Sequence, residues 1–376
     1  MRADSLAGNA AHAPPSRRST RLTRAPILVT AGIAMAAGLL GGLARLGLPA
    51  PGSATALPVA HGPLMVAALF GTVIGLERAV AMGGRWPYLA PLLSGAAGIL
   101  LIAGGEPGLA AILSIAAAAI LLAGSLLVLR RHPALHAAVL AGGCACLLAG
   151  HLVWLAGLLV GDPVPWWIGF LVLVIAGERL ELSRVLKPPP GRTALFLAAA
   201  GLLLGGIALS SLRFDGELAV LGPGLLGMAL WLARYDIARR TIRQSGLVRY
   251  VAACLLAGYL WLGVAGLMAM AAPAGAAFVR DAVLHAVFLG FVLTMVFAHA
   301  PIILPAVLKV TVPYRPVFYV HVALLHATLL LRVVADLFGW ADLRACAGLG
   351  NGAAILVFAA STAYAAWASA RPPNRT

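Results

Sequence analysis

The sequence predicts an all-α polytopic bundle of about twelve membrane-spanning helices, and three observations lead there. The 376-residue chain is 62% hydrophobic and only 10% charged, with a mean hydropathy of +0.98, whereas average chains are about a quarter charged. Its apolar residues gather in stretches close to the ~20 that a helix needs to cross a bilayer. Short polar loops separate those stretches, and the loops alternate between basic and acidic along the chain.

The predicted spans are 25–47, 57–81, 86–104, 108–129, 134–160, 164–186, 193–212, 217–235, 247–271, 276–309, 316–338 and 343–368, within one helical domain at 25–368. The polar residues 1–24 precede the first span and are expected to form a disordered cytoplasmic tail. Arg17-Arg18 loosely resembles a twin-arginine export signal, but the spans that follow favour orienting charges over a cleaved leader. The second span begins at His61 and ends near Glu77-Arg78; the sixth begins near Asp162 and ends with Glu178-Arg179. Trp166 and Trp167 at the start of the sixth read as interfacial belt residues. Pro188-Pro189-Pro190 stops that helix, because proline cannot continue it. The tenth span is overlong and interrupted by Pro301 and Pro305. Residues 369–376 form a second cytoplasmic tail. The cysteines Cys144, Cys146, Cys254 and Cys346 lack metal-ligand spacing and read as packing residues.

A formal charge of +15 suggests nucleic acid at first sight, but its distribution excludes that partner. With both termini inside, 22 of the 27 Lys and Arg fall on the inner face. Arg45, Arg213, Arg280, Arg332 and Arg344 are left outside, with most of the acids. This is the positive-inside bias, and it makes the lipid bilayer the partner that the charge pattern serves.

Helices 2, 6 and 10 are the most polar-decorated and lie four spans apart, so three four-helix repeats are the simplest description. Ile-Gly-Leu-Glu-Arg at 74–78 is echoed by Ile-Ala-Gly-Glu-Arg at 175–179, and His61 and His285 open corresponding stretches of helices 2 and 10. Both histidines lie within about two turns of the outer surface, counting ~1.5 Å of rise per residue. An ionisable group inside a membrane is a functional-site hypothesis by default. Two imidazoles on facing helices are what a bis-histidine haem needs. Imidazole also suits copper or non-haem iron, and His299, His151 and His326 are further candidate metal ligands. Asp281, one turn outward from His285, is placed to orient its ring. Glu77 and Glu178 read either as proton-path groups or as partners of arginines that snorkel to the interface.

Twelve spans with histidines on helices 2 and 10 look like subunit I of the haem–copper oxidases. Within that group, His285-Ala-Val-Phe-Leu-Gly-Phe-Val-Leu-Thr-Met295, followed by Leu-Leu-Leu-Arg at 329–332, resembles the NnrS family. That resemblance implies a bacterial inner-membrane protein of nitric oxide metabolism or nitrosative-stress response. It implies haem b held by His61 and His285, copper as a second metal, and nitric oxide or another diatomic gas as ligand. It covers 276–339 most closely and 57–82 less so. The chain departs from the oxidases in lacking adjacent histidines on helix 7 and a His-x-His on helix 10. It departs from NnrS at helix 2, where a His-x-His-Glu-Met-like run is replaced by His61-Gly-Pro-Leu-Met65. The alternative is a secondary transporter with a Pro-broken helix 10 and Glu77, Glu178 and membrane-embedded histidines as coupling residues.

Overall fold

In hydrocarbon no water satisfies backbone N–H and C=O groups, so an apolar chain of this kind must close its hydrogen bonds within each helix. The computed structural model describes residues 17–49, 56–157, 162–183, 189–210, 217–272 and 277–370, and every regular element among them is helical. The long helices are α1 Arg17–Arg45, α2 Leu57–Met82, α3 Trp86–Ile102, α4 Pro107–Arg131, α5 Leu135–Ala156 and α6 Val164–Leu182. They continue as α7 Arg192–Ser210, α8 Glu217–Tyr235, α9 Gly246–Ala271, α10 from Ala277 to Leu308, α11 Phe318–Phe338 and α12 Ala341–Ala370. A single turn, Ala238–Thr241, lies between α8 and α9.

Ten of these are long and apolar enough to cross a membrane. This is a multi-pass membrane protein. The other two differ for separate reasons: α3 is short, and α6 carries Glu178, Arg179 and Glu181 near its end. Sequential helices pack as antiparallel neighbours, with α7–α8, α8–α9, α5–α6 and α11–α12 among the most extensive pairs. The surface they turn outward is apolar, with Leu260, Leu356, Leu230 and Phe338 all exposed, as a lipid-facing wall should be. α2, α6 and α10 carry the densest runs of buried residues, and α10 touches α1, α2, α6, α9, α11 and α12.

Two features of these central helices were not expected. α2 widens into a π-helical stretch at Leu64–Phe70, and α10 does the same at Ala286–Leu293. In α2 the widening follows Pro63, which has no N–H to give the ladder, and Gly71 N–H reaches back five residues to Val66 O. In α10 the Thr294 hydroxyl donates to Leu289 O at 3.3 Å, which occupies a carbonyl that the widened turn would otherwise leave idle.

Several expectations need correction. α10 is not broken by proline: Pro301 and Pro305 lie inside a helix that runs on to Leu308 and ends at Lys309 in the left-handed conformation. Each proline removes one ladder bond close to the helix end, where neighbouring helices tolerate the loss. Helix α1 begins at Arg17, inside the stretch expected to be a disordered tail, while residues 1–16 lie outside the described residues. Cys346 is exposed; the other three cysteines are buried. Trp167 is 2% exposed and so is no belt residue.

Small residues set the closest helix approach. A Cβ on Gly206 of α7 would run into the Val220 carbonyl of α8, and one on Gly224 of α8 into the Leu203 backbone of α7. Gly206→Leu is expected to cost about 1–3 kcal/mol through overpacking, read as a lower unfolding temperature in detergent. An unchanged melt would show that this crossing has room to spare.

Candidate functional site

His61 sits in the first turns of α2, beside α1. Its Nδ1 lies 2.6 Å from the Gly38 carbonyl. A carbonyl only accepts, so Nδ1 carries the proton and Nε2 keeps its lone pair. Gly42, one turn along α1, makes the approach possible, since a Cβ there would lie 2.8 Å from His61 Cε1. His285 closes the first segment of α10, immediately before the π-helical stretch. Its Nδ1 lies 2.8 Å from the Asp281 backbone carbonyl and 3.5 Å from that residue's carboxylate. The same tautomer follows. The orienting acceptor is thus chiefly the backbone of Asp281 rather than its side chain.

Both rings line one cavity of about 440 Å³. Met65, Phe70, Phe288 and Leu289 give it apolar walls, and Trp167 of α6 closes one side. Its polar end is built by Arg45, Arg280, Arg332, Arg344 and Asp281. Arg332 and Arg344 clamp one oxygen of Asp281 at 2.5 and 2.8 Å and both oxygens of Asp336 at 3.2 and 2.6 Å. Arg280 pairs with Asp162. Arg45 reaches only the Pro58 carbonyl, at 3.5 Å. Among the described residues, the guanidinium groups of Arg45, Arg280, Arg332 and Arg344 therefore gather at this end with the carboxylates of Asp162, Asp281 and Asp336.

The remaining candidates lie elsewhere. His299 uses both nitrogens: Nδ1 on the Met295 carbonyl at 2.7 Å and Nε2 on Arg179 at 3.2 Å. Arg179 is therefore buried and bonded, rather than snorkelling to the interface. His151 accepts from the Trp167 indole at 3.3 Å, and His326 accepts from the Trp261 indole at 2.9 Å with the rings stacked. His321 bonds the Tyr250 hydroxyl at 3.0 Å. Glu178 pairs with Arg78 at 2.6 Å across α2 and α6, and Glu77 lies near enough to feel the Glu178 charge. Among the described residues no three His, Cys, Asp or Glu converge to hold a metal ion.

The arrangement offers two imidazole Nε2 lone pairs in the lining of one largely apolar cavity with cations at one end. A family model described as a domain of unknown function, DUF8744, matches residues 24–367. The chain belongs to the DUF8744 family. No curated protein matches the chain, and no solved structure does either. For this DUF8744 member the argument about function therefore rests on the site.

Sequence reasoning missed Trp167, Gly42 and the arginine–aspartate box. The box did leave a trace: Arg332 and Asp336 are spaced i, i+4 on a span that is otherwise apolar. Arg332→Leu would leave the two aspartates with Arg344 alone. Removing one partner from a buried ion-pair network costs about 3–5 kcal/mol, which should appear as a large drop in detergent-denaturant stability. A loss within about 1 kcal/mol, the range of an exposed pair, would mean that water reaches the box.

Proposed function

We propose that the protein is a haem-binding integral membrane protein in which His61 and His285 would hold the haem iron. The carrying observation is that both imidazoles have Nδ1–H committed to a backbone carbonyl while both rings line the same cavity. A second acceptor on the far nitrogen fixes ring orientation and raises ligand basicity, as metal-bound histidines usually require. The residues fit the group in three further respects. The cavity falls within the ~300–1,000 Å³ of cofactor pockets. Its walls suit a flat apolar macrocycle. Its polar end carries guanidinium groups, the side chains that pair best with carboxylates such as propionates.

Haem supplies one-electron chemistry and affinity for diatomic gases. The chain's own residues hold the two rings, exclude lipid with Phe70, Phe288 and Trp167, and balance the charge at the mouth. Nitric oxide is the ligand we favour, on the resemblance of 276–339 to NnrS, with a role in sensing, buffering or protection. Placement in a bacterial inner membrane with both termini inside follows from the same resemblance and the basic loops. Twelve spans in three groups of four is the accompanying view of the fold. It is supported by the three central helices α2, α6 and α10 and by the π-helical stretches that follow His61 and His285.

One observation favours a secondary transporter instead. Glu77, Arg78 and Glu178 bring two carboxylates and one cation together where α2 meets α6, at the opposite end of the bundle from the histidine cavity. Such a group suits ion coupling, although the unbroken α10 removes the hinge that this reading relied on.

The optical spectrum of detergent-purified protein, oxidised and dithionite-reduced, separates the two. A Soret band with sharp reduced α and β bands is expected, altered by nitric oxide. His61→Ala and His285→Ala should each abolish the six-coordinate signature, and His299→Ala should leave it intact. Colourless protein from haem-replete cells, or wild-type spectra in both ligand variants, would overturn the proposal.

A further inference from the structure

A second cavity lies at the other end of the molecule, where the chain enters α11 and the last turns of α12 come alongside. It is an open groove of about 640 Å³ lined by Arg315, Val317, Val357, Ala360, Ser361 and Tyr364. Arg315 stands at its head, with the guanidinium 5.4 Å above the Tyr364 ring. Among the described residues, the Arg315 Nε is buried and makes no hydrogen bond, and no carboxylate lines the groove. A buried donor without an acceptor costs about 1–3 kcal/mol, so a missing partner is indicated. The groove below is apolar, and its rim carries Tyr364 and Trp367, both more than half exposed and 6.0 Å apart. Such aromatic pairs sit at headgroup level in membranes.

We propose that this groove is a binding site for one anionic phospholipid. The phosphate would accept from the in-plane N–H groups of the Arg315 guanidinium, whose planar fork matches phosphate oxygens. One acyl chain would lie along Val317, Val357 and Ala360. Charge complementarity selects the occupant. A zwitterionic lipid would bring its own cation to a site that already holds one, and a second copy of the chain would need an acidic group at this level. Basic pockets between spanning helices on the basic side of a membrane recognise anionic headgroups by the same physics.

The test uses native mass spectrometry of the full-length protein released from nanodiscs of equal phosphatidylglycerol and phosphatidylcholine. Wild type should retain phosphatidylglycerol in preference. Arg315→Gln should lower that retention about fivefold, the equivalent of ~1 kcal/mol for one basic side chain near an anionic surface. Ala360→Phe keeps the charge but fills the groove, and should lose the bound lipid with an unchanged melting profile. It decides the matter alone if Arg315→Gln does not fold. Excess inorganic phosphate should leave the adduct in place. Equal retention of the two lipids by wild type, unchanged preference in both variants, displacement by phosphate alone, or a dimer mass without lipid would each overturn the proposal.

Discussion

Most polar groups inside this bundle find their partner in the protein, because lipid offers none. That constraint explains most of what stands out. Arg332 and Arg344 share Asp281 and Asp336 in a closed box, and Arg78 crosses between helices to reach Glu178. The buried hydroxyls of Ser114 and Ser210 turn back onto carbonyls of their own helices. Histidines follow the same rule, four of them by bonding an arginine, a tyrosine or a tryptophan side chain. His61 and His285 differ from those four. Each spends Nδ1 on a carbonyl and turns toward open space.

This economy explains why the cavity survives at all. A void lined only by apolar groups would tend to close, because lining atoms lose dispersion contacts across a gap. Here the wall is pinned by polar contacts among its own lining residues. The Asp281 carboxylate is held by two arginines from α11 and α12, while the carbonyl of the same residue holds His285. Asp281 therefore couples the charge network to the ring. Across the slot, Gly42 lets α1 come close enough to present the Gly38 carbonyl to His61. Each support lines the cavity and fixes a ring.

The fold was largely legible in the sequence, because membrane helices announce themselves by apolar length. The predicted spans and the observed helices agree to within a few residues at most ends, and the largest differences fall at Arg17 and Ala156. His61 and His285 were legible for a related reason: an ionisable residue in an apolar run is conspicuous, and its depth follows from counting. What could not be read was lateral. Trp167 looked like an interface residue because its position along the helix is near the end, whereas its burial depends on how α6 is rotated against α2 and α5. His299 looked equivalent to His285 by spacing, but Arg179 had claimed its Nε2. Proline at 301 and 305 suggested a break, and the helix continues because context overrides local cost.

The π-helical stretches carry a consequence for register. Each inserts roughly one extra residue into the helical repeat, which turns everything beyond it by about 100° relative to a straight α-helix. His285 lies on one side of such a stretch and His299 on the other, so the two ends of α10 face neighbours that an unwidened helix of the same composition would not meet. A chain one residue shorter within 286–293 would look identical by hydropathy and would still span. It would turn His285 and His299 by about 100° relative to each other. In this bundle, residue count inside two short segments carries information that composition does not.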